Sequence, residues 1–322
     1  MTYTSGGLIQ ATDYNGFVST NASANVNDVW ATGSSDKGWG QSAIATVSAT
    51  NTISAPQWAS LVNTLASMGS QTNTAITART APTSGQTIGI LAALNTDLTN
   101  ITANRLNAAA QGSQFTGWSG TNSKTAGTSG ATWTITFTNT VTFASANAAR
   151  YFFNAGGSIK LDVSKTATGN TGDPEWNDLA NTLCGDIYFT AGTATQTIAG
   201  QAYTGTTKIG GTGVPNTLAT TTGFYDLTPG AAATIIYKQF ADTAPYTSNF
   251  IQHSVALNAG STALTFTTLW SASDGDPIAG GTAASGATPG TAPCTICTYY
   301  PPSSTYLTTA SWGAPTVAAT TV

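Results

Sequence analysis

The stretch WTITFTNTVTF (residues 133–143) decides how this chain is read. Its large apolar residues, Trp133, Ile135, Phe137, Val141 and Phe143, keep to odd positions with polar residues between them. A period of two puts them on one face of a long strand, half buried and half facing water. The same pattern returns downstream. Ile159, Leu161 and Val163 alternate after Gly156 and Gly157; Ile251, His253, Val255 and Leu257 form another run, and Leu264, Phe266 and Trp270 a further one. A last strand is expected from Pro315 to Val322. Short alternating strands broken by Gly, Asn and Pro predict an antiparallel sandwich. Two long polar loops are expected between them, residues 192–222 and 271–298; loops of that length are uncommon unless a partner orders them or they bind something.

Upstream of residue 113 the period changes. Residues 12–30 place Val26, Val29 and Trp30 at helical spacing behind Thr12 as a candidate N-cap. A glycine-rich turn, GSSDKGWGQ, follows at residues 33–41. In ISAPQWASLVNTLASMGSQ, Pro56 sits where a first helical turn tolerates proline, and Trp58, Leu61, Leu65 and Met68 step by 3, 4 and 3. Residues 88–110 repeat the stepping at Leu91, Leu94, Leu98 and Ile101. Such a seam fits an antiparallel helix pair or a coiled coil. Two heptads favour an intramolecular pair, and Trp58, Leu61, Leu65, Leu91, Leu94, Leu98 and Ile101 are the candidate assembly seam. The expected fold class is α+β: a small N-terminal helical region over 1–112, carrying attachment, and a predominantly antiparallel β-sandwich over 113–322, folding independently. The break falls in AAAQGSQFTGWSG, between Gly112 and Gly117.

Only 7% of the 322 residues are charged, against roughly 25% in an ordinary soluble domain. Thr, Ser, Asn, Gln and Gly take the place of charge. Disorder needs low hydrophobicity and high net charge, whereas this chain is 40% hydrophobic with a net charge of −4. A surface so poor in charge suits a protein packed against its neighbours. Lys37, Arg79, Arg105, Lys124, Arg150, Lys160, Lys165, Lys208 and Lys238 are scattered singly, and the pI is near 4.6, so nucleic acid is not an expected partner. The opening MTYTSGGLIQ lacks the basic and apolar regions of a signal peptide, and no apolar run approaches a membrane span. Synthesis in a cytoplasm without secretory export or membrane insertion is the expectation.

Residues capable of chemistry are few. His253 is the single histidine and Glu175 the single glutamate. His253 lies in an alternating run, so a strand position is a better reading than a triad base. Glu175, with Asp173 and Asp178 in GDPEWNDL, lies in a turn and short helix whose Trp176 and Leu179 face inward; carboxylates so close in sequence rarely flank a sugar. Asp274-Gly275-Asp276 lacks the terminal Glu of a calcium loop. Gly210, Gly211 and Gly213 precede Pro215 and are not a dinucleotide fingerprint. Cys294 and Cys297 form CTIC, but Cys184 stands alone and no second CxxC completes a zinc site. Free thiols or a Cys294–Cys297 loop disulfide both remain open. No catalytic residue, metal or cofactor is expected.

Several stretches in order resemble a group of tailed-bacteriophage virion proteins, found especially among phages of aquatic bacteria. They are GLIQATDYNGFV, GSSDKGWGQ and ISAPQWASLVNTL near the start, then ARYFFNAGGSIKLDVS (residues 149–164) with PEWNDL, then TTGFYDLT, APYTSNFIQHSVAL and PPSSTYLTTASWGAPTV. The resemblance implies a non-enzymatic structural component of the virion, in tail, neck or fibre, with copies of itself and other virion proteins as partners. The CTIC segment and the long polar inserts depart from the shared pattern. Within FFNAGG, Phe152 and Phe153 are expected on opposite faces of a strand, with Gly156–Gly157 turning it into a hairpin with 159–163. The alternative function is a carbohydrate-binding adhesin that recognises a host-surface glycan, with Trp270, Tyr299, Tyr300, Tyr306 and Trp312 as stacking candidates.

Overall fold

A computed structural model describes residues 9–20, 24–85, 92–109, 122–123, 132–165, 173–272, 293–300 and 302–321. The helical first third is built in pieces. α1 (Ala11–Asn15) starts where the Asp13 carboxylate accepts from the Gln10 backbone N–H at 2.9 Å, and it runs into a π-helical turn, Gly16–Thr20. α2 (Val26–Val29) is capped by Asn25, whose side chain accepts from Asp28 N. The single helix expected over 12–30 is therefore two short helices, and Thr12 lies inside the first of them. α3 (Ala55–Gln71) matches the leucine stepping and has Pro56 in its first turn. α4 (Ala92–Ala103) matches the core of the second stepped segment; Leu91 lies outside the described residues.

Two antiparallel sheets follow. β1 (Asn122–Ser123) and β2 (Trp133–Thr142) precede α5 (Ala146–Asn154), β3 (Ser158–Lys165), α6 (Asp173–Asp178) and β4 (Asp186–Phe189). Then come β5 (Gln196–Ile198), β6 (Gln201–Tyr203), β7 (Thr206–Ile209), β8 (Thr217–Leu218) and β9 (Thr234–Phe240). The chain closes with β10 (Phe250–Leu257), β11 (Ala263–Ala272), β12 (Pro293–Tyr300) and β13 (Thr316–Thr321). One sheet has the order β1-β12-β3-β4-β7, the other β13-β2-β11-β10-β9-β8, and β5-β6 is a separate hairpin. Every strand pairing among the described residues is antiparallel. The fold class is thus α+β with mostly antiparallel sheets.

The two sheets face each other across aromatic side chains. Phe189 of β4 meets Phe266 of β11 edge-on at 5.4 Å, and Trp176 of α6 lies between Trp133 at 4.9 Å and Trp270 at 5.7 Å. The alternation read from the sequence is the burial pattern of β2, β10 and β11. Four short strands, β5 to β8, occupy the 192–222 stretch that lacks apolar alternation.

FFNAGG is a correction. Phe152 and Phe153 belong to α5, capped at Ser145, whose side chain accepts from Ala148 N at 3.0 Å. Both rings are buried, 5.1 Å apart and nearly perpendicular, and Phe153 also stacks on Phe224 at 4.7 Å. Gly156, at φ 101°, ends the helix instead of turning a hairpin, and Gly157 N–H returns to the Phe152 carbonyl at 2.8 Å.

Candidate functional site

The proposed assembly seam points inward. Trp58, Leu61, Leu65, Leu94, Leu98 and Ile101 are buried in the same apolar cluster as the sandwich residues Phe137, Phe153 and Trp270. Those leucines hold the helices to this chain and are not presented to another. The core also crosses the change of period near residue 112: Trp39 Nε1 donates to Asn154 O at 3.1 Å, and Gln71 Nε2 to Ala155 O at 3.1 Å. The segment around Gly112 and Gly117 itself lies outside the described residues.

The stretches that carry the family resemblance converge on one place. Arg150 of ARYFFNAGG donates to the carbonyls of Thr32, Ser35 and Lys37 at 2.6–2.9 Å. Asn154 donates to Asp36 O at 2.7 Å and Gly38 O at 3.0 Å. Tyr225 of TTGFYDLT gives its hydroxyl to Asn154 Oδ1 at 2.7 Å and Asp36 O at 3.1 Å. Gln41 accepts from the backbone of Thr308 and Thr309, and Ser311 donates to Gly40 O. At Gly40, φ is 69° and a Cβ would run into Tyr151 and Ser311. These motif residues read backbone carbonyls, which is the work of a structural clamp. Burial, and then Asp36, push the Tyr225 phenol well above its ordinary range, so it stays a donor.

The residues weighed for chemistry are placed as follows. His253 is fully buried in β10, its Nδ1 2.8 Å from Thr268 Oγ1 and its ring stacked on Tyr237 at 5.5 Å. Burial holds its pKa down at about 3, so the imidazole is neutral and walled from solvent. Glu175 is buried on α6, and burial raises its carboxyl pKa. The CTIC segment is not a loop but lies in β12, where Cys294 pairs with Ser164 and Cys297 with Leu161. Three residues along a strand span roughly 10 Å between Cα atoms, beyond the 7 Å limit for a disulfide. A Cys294–Cys297 bridge does not fit this strand. Cys297 and Cys184 are free and buried, each pushed up to about 12 by burial. Among the described residues no three His, Cys, Asp or Glu side chains group as metal ligands, and no helix is long and apolar enough to cross a membrane. Asp274, Gly275 and Asp276 lie outside the described residues.

Among the described residues the cations have partners within the chain. Lys37 pairs with Asp28 at 2.6 Å, Arg79 with Asp97 at 2.5 Å and Arg105 with Asp36 at 2.7 Å. Lys160 lies between Asp186 at 3.4 Å and Asp162 at 3.7 Å. Burial alone would lower its pKa, but Asp186 and Asp162 outweigh that and raise it. Lys208 donates to Gly213 O, and Lys238 lies 3.7 Å from the Phe250 ring centroid.

Four adjacent strands of the six-stranded sheet, β13, β2, β11 and β10, present an outward face without such charges, and Lys238 of β9 stands at its border opposite Gln252. Thr134, Thr136, Thr138, Thr140 and Thr142 alternate with the buried residues of β2. Their cross-strand partners on β11 are Ser271, Leu269, Thr267, Thr265 and Ala263, and on β13 Thr138, Thr140 and Thr142 face Thr320, Ala318 and Thr316. β10 adds Gln252, Ser254 and Ala256. β2, β10, β11 and β13 contain no Asp, Glu, Lys or Arg. The result is a hydroxyl array with strands roughly 4.8 Å apart and alternate residues roughly 6.7 Å apart. β13 forms one edge of this sheet, and TVAATT has none of the charges or prolines that usually blunt an edge. Periodicity located the inner face; what was missed is that the outward positions of β2, 134 to 142, are all threonine.

Of the proposed stacking aromatics, Trp270 and Trp312 are buried, whereas Tyr300 is half-buried and Tyr306 is 38% exposed. The Tyr299 side chain lies outside the described set. No protein-family model matches the chain, and no match is found among the curated proteins or the solved structures.

Proposed function

We propose that the chain is a non-enzymatic structural component of a tailed-phage virion, assembling with copies of itself and with other virion proteins through wide, uncharged surfaces. The observation that carries this reading is the charge-free, threonine-rich face of β2, β11 and β13. Burying an ionised side chain in an interface costs several kcal/mol unless it is paired. A threonine hydroxyl costs far less and can find a partner across a contact. A sheet face made of hydroxyls and methyls can therefore be covered by another subunit without that penalty. The resemblance of GSSDKGWGQ, ARYFFNAGG and SWGAPTV to tailed-phage virion proteins supplies the class of assembly, in tail, neck or fibre. Gold-labelled antibody against the chain should decorate purified particles at one fixed position. Absence of the chain from purified virions, while it is present in the infected-cell lysate, would reject the assignment.

A second reading, recognition of a host-surface glycan, is favoured by a different feature: a polar concavity at the end of β9 lined by Asn216, Asp242 and the exposed Val214. No catalytic role goes with it. The one imidazole is sealed in the core, and the purified protein is expected to leave host polysaccharide at its original length.

A further inference from the structure

In a two-fold contact each group near the axis meets its own counterpart, so a charge there faces a like charge. A threonine hydroxyl both donates and accepts, so it can pair with a copy of itself. β13, β2, β11 and β10 are neighbours in one sheet and carry no Asp, Glu, Lys or Arg. We propose that their outward face binds the same face of a second copy of this chain, across a two-fold axis that lies between the two sheets and runs along β2 and β11. The inference rests on the assembly reading and adds to it which partner covers the face and in what arrangement.

The centre of the face is Thr138 of β2 beside its cross-strand neighbour Thr267 of β11. One step along, Thr140 Oγ1 lies 3.4 Å from Thr265 Oγ1, and each hydroxyl keeps capacity for a further partner. Turning one copy about the axis lays its β11 over the partner's β2 and its β10 over the partner's β13. Its β9 then falls past the partner's β13 edge. That placement suits Lys238, which shares the outward side of Gln252. The Lys238 ammonium is drawn over two rings, 3.7 Å from the Phe250 centroid and 4.5 Å from that of Phe240. The cation at the border is thereby held back from the face, and beyond the partner's edge it stays in water. An axis running across the strands would instead lay β9 over β9 and bury two like charges in one contact.

Size sets the strength. Four strands of 6 to 10 residues, spaced roughly 4.8 Å with roughly 3.4 Å per residue, cover roughly 550 Å². A standard interface takes about 800 Å² from each partner, and weak ones take less than about 600 Å². Two such faces stacked about 10 Å apart, as sheets stack in a sandwich, therefore make a micromolar dimer. Repetition of the contact within a particle raises its effective strength.

The test is sedimentation of the full chain over about 1–100 μM, run on the parent, on Thr138→Lys, on Thr138→Asp and on an equimolar mixture of the two variants. The parent should dimerise, and each variant alone should raise the dissociation constant about a hundredfold or more, because like charges then meet beside the axis. The mixture should recover a mixed dimer, because opposite charges then face each other across the axis. Thr267→Lys with Thr267→Asp repeats the test on the neighbouring strand should the residue-138 variants lose the fold. A mixture that stays monomeric, after both variants have dissociated, would overturn the two-fold pairing and leave the face covered in some other arrangement. A dimer that neither variant weakens would overturn this face as the contact. A parent that is monomeric throughout would overturn the self-pairing, while antibody decoration of particles decides the virion assignment separately.

Discussion

Asn154 ties three distant stretches of chain together with one side chain. Its amide donates to Asp36 O and Gly38 O and accepts from the Tyr225 hydroxyl, the bond to Gly38 being buried and the other two partly so. Asn154→Ala leaves Gly38 O without its donor, at a cost of about 1–3 kcal/mol, while the Tyr225 hydroxyl still donates to Asp36 O. A loss of about 1–3 kcal/mol in denaturant unfolding is expected; a loss within 1 kcal/mol would show that the clamp is dispensable. His253 sets an acid limb. Its folded pKa of about 3 lies below the ordinary imidazole value of 6.5, so the unfolded chain takes up a proton that the folded chain refuses. Stability is fully present above pH 6.5 and falls as the pH drops from 6.5 toward 3, by roughly 4 kcal/mol over the whole window. Unfolding of His253→Gln should show a shallower acid limb than the parent. Identical limbs would mean that the imidazole is not sealed.

At the scale of elements, legibility followed periodicity. β2, β10 and β11 each have one wet face, so alternation announced them, and α3 announced itself through Trp58, Leu61, Leu65 and Met68. α5 buries Ala148, Ala149, Tyr151, Phe152, Phe153 and Asn154 and leaves only Ala146, Asn147 and Arg150 toward solvent. A helix of nine residues shows its polar stripe only at Asn147 and Arg150, too short a run to fix a period, and FFNAGG taken alone reads equally as strand and hairpin. The signals that distinguish it are its ends, Ser145 as cap and Gly156 beyond the last turn. CTIC misled in the opposite sense: the flanking prolines suggested a loop, yet the segment pairs with β3 over its full length. Alkylation of the denatured, unreduced protein should label all three cysteines. A mass short by two hydrogens, mapped to a Cys294–Cys297 peptide, would contradict the strand register.

At the scale of the molecule, the texture of the sequence divides near residue 112 but the apolar cluster does not. A fragment beginning at Ser113 would expose the sandwich residues that now meet α3 and α4, along with the Arg150 and Asn154 donors that read residues 32–38. Such a fragment should be insoluble or lack a cooperative transition; cooperative unfolding with native-like stability would restore two separable units. The outward threonine face escaped the sequence reading because alternation reports which residues face the core and says nothing about what covers the other side. The central claim is that this face is covered by another subunit. Light scattering of the purified chain at micromolar concentration tests it most directly, with Thr138→Lys as the partner measurement. The account predicts a mass of at least twice 32.5 kDa for the parent and a shift to monomer in Thr138→Lys with the fold retained, since a lysine buried unpaired at the centre of the array costs several kcal/mol. A parent that stays monomeric in every salt condition, or an assembly indifferent to Thr138→Lys, would contradict it.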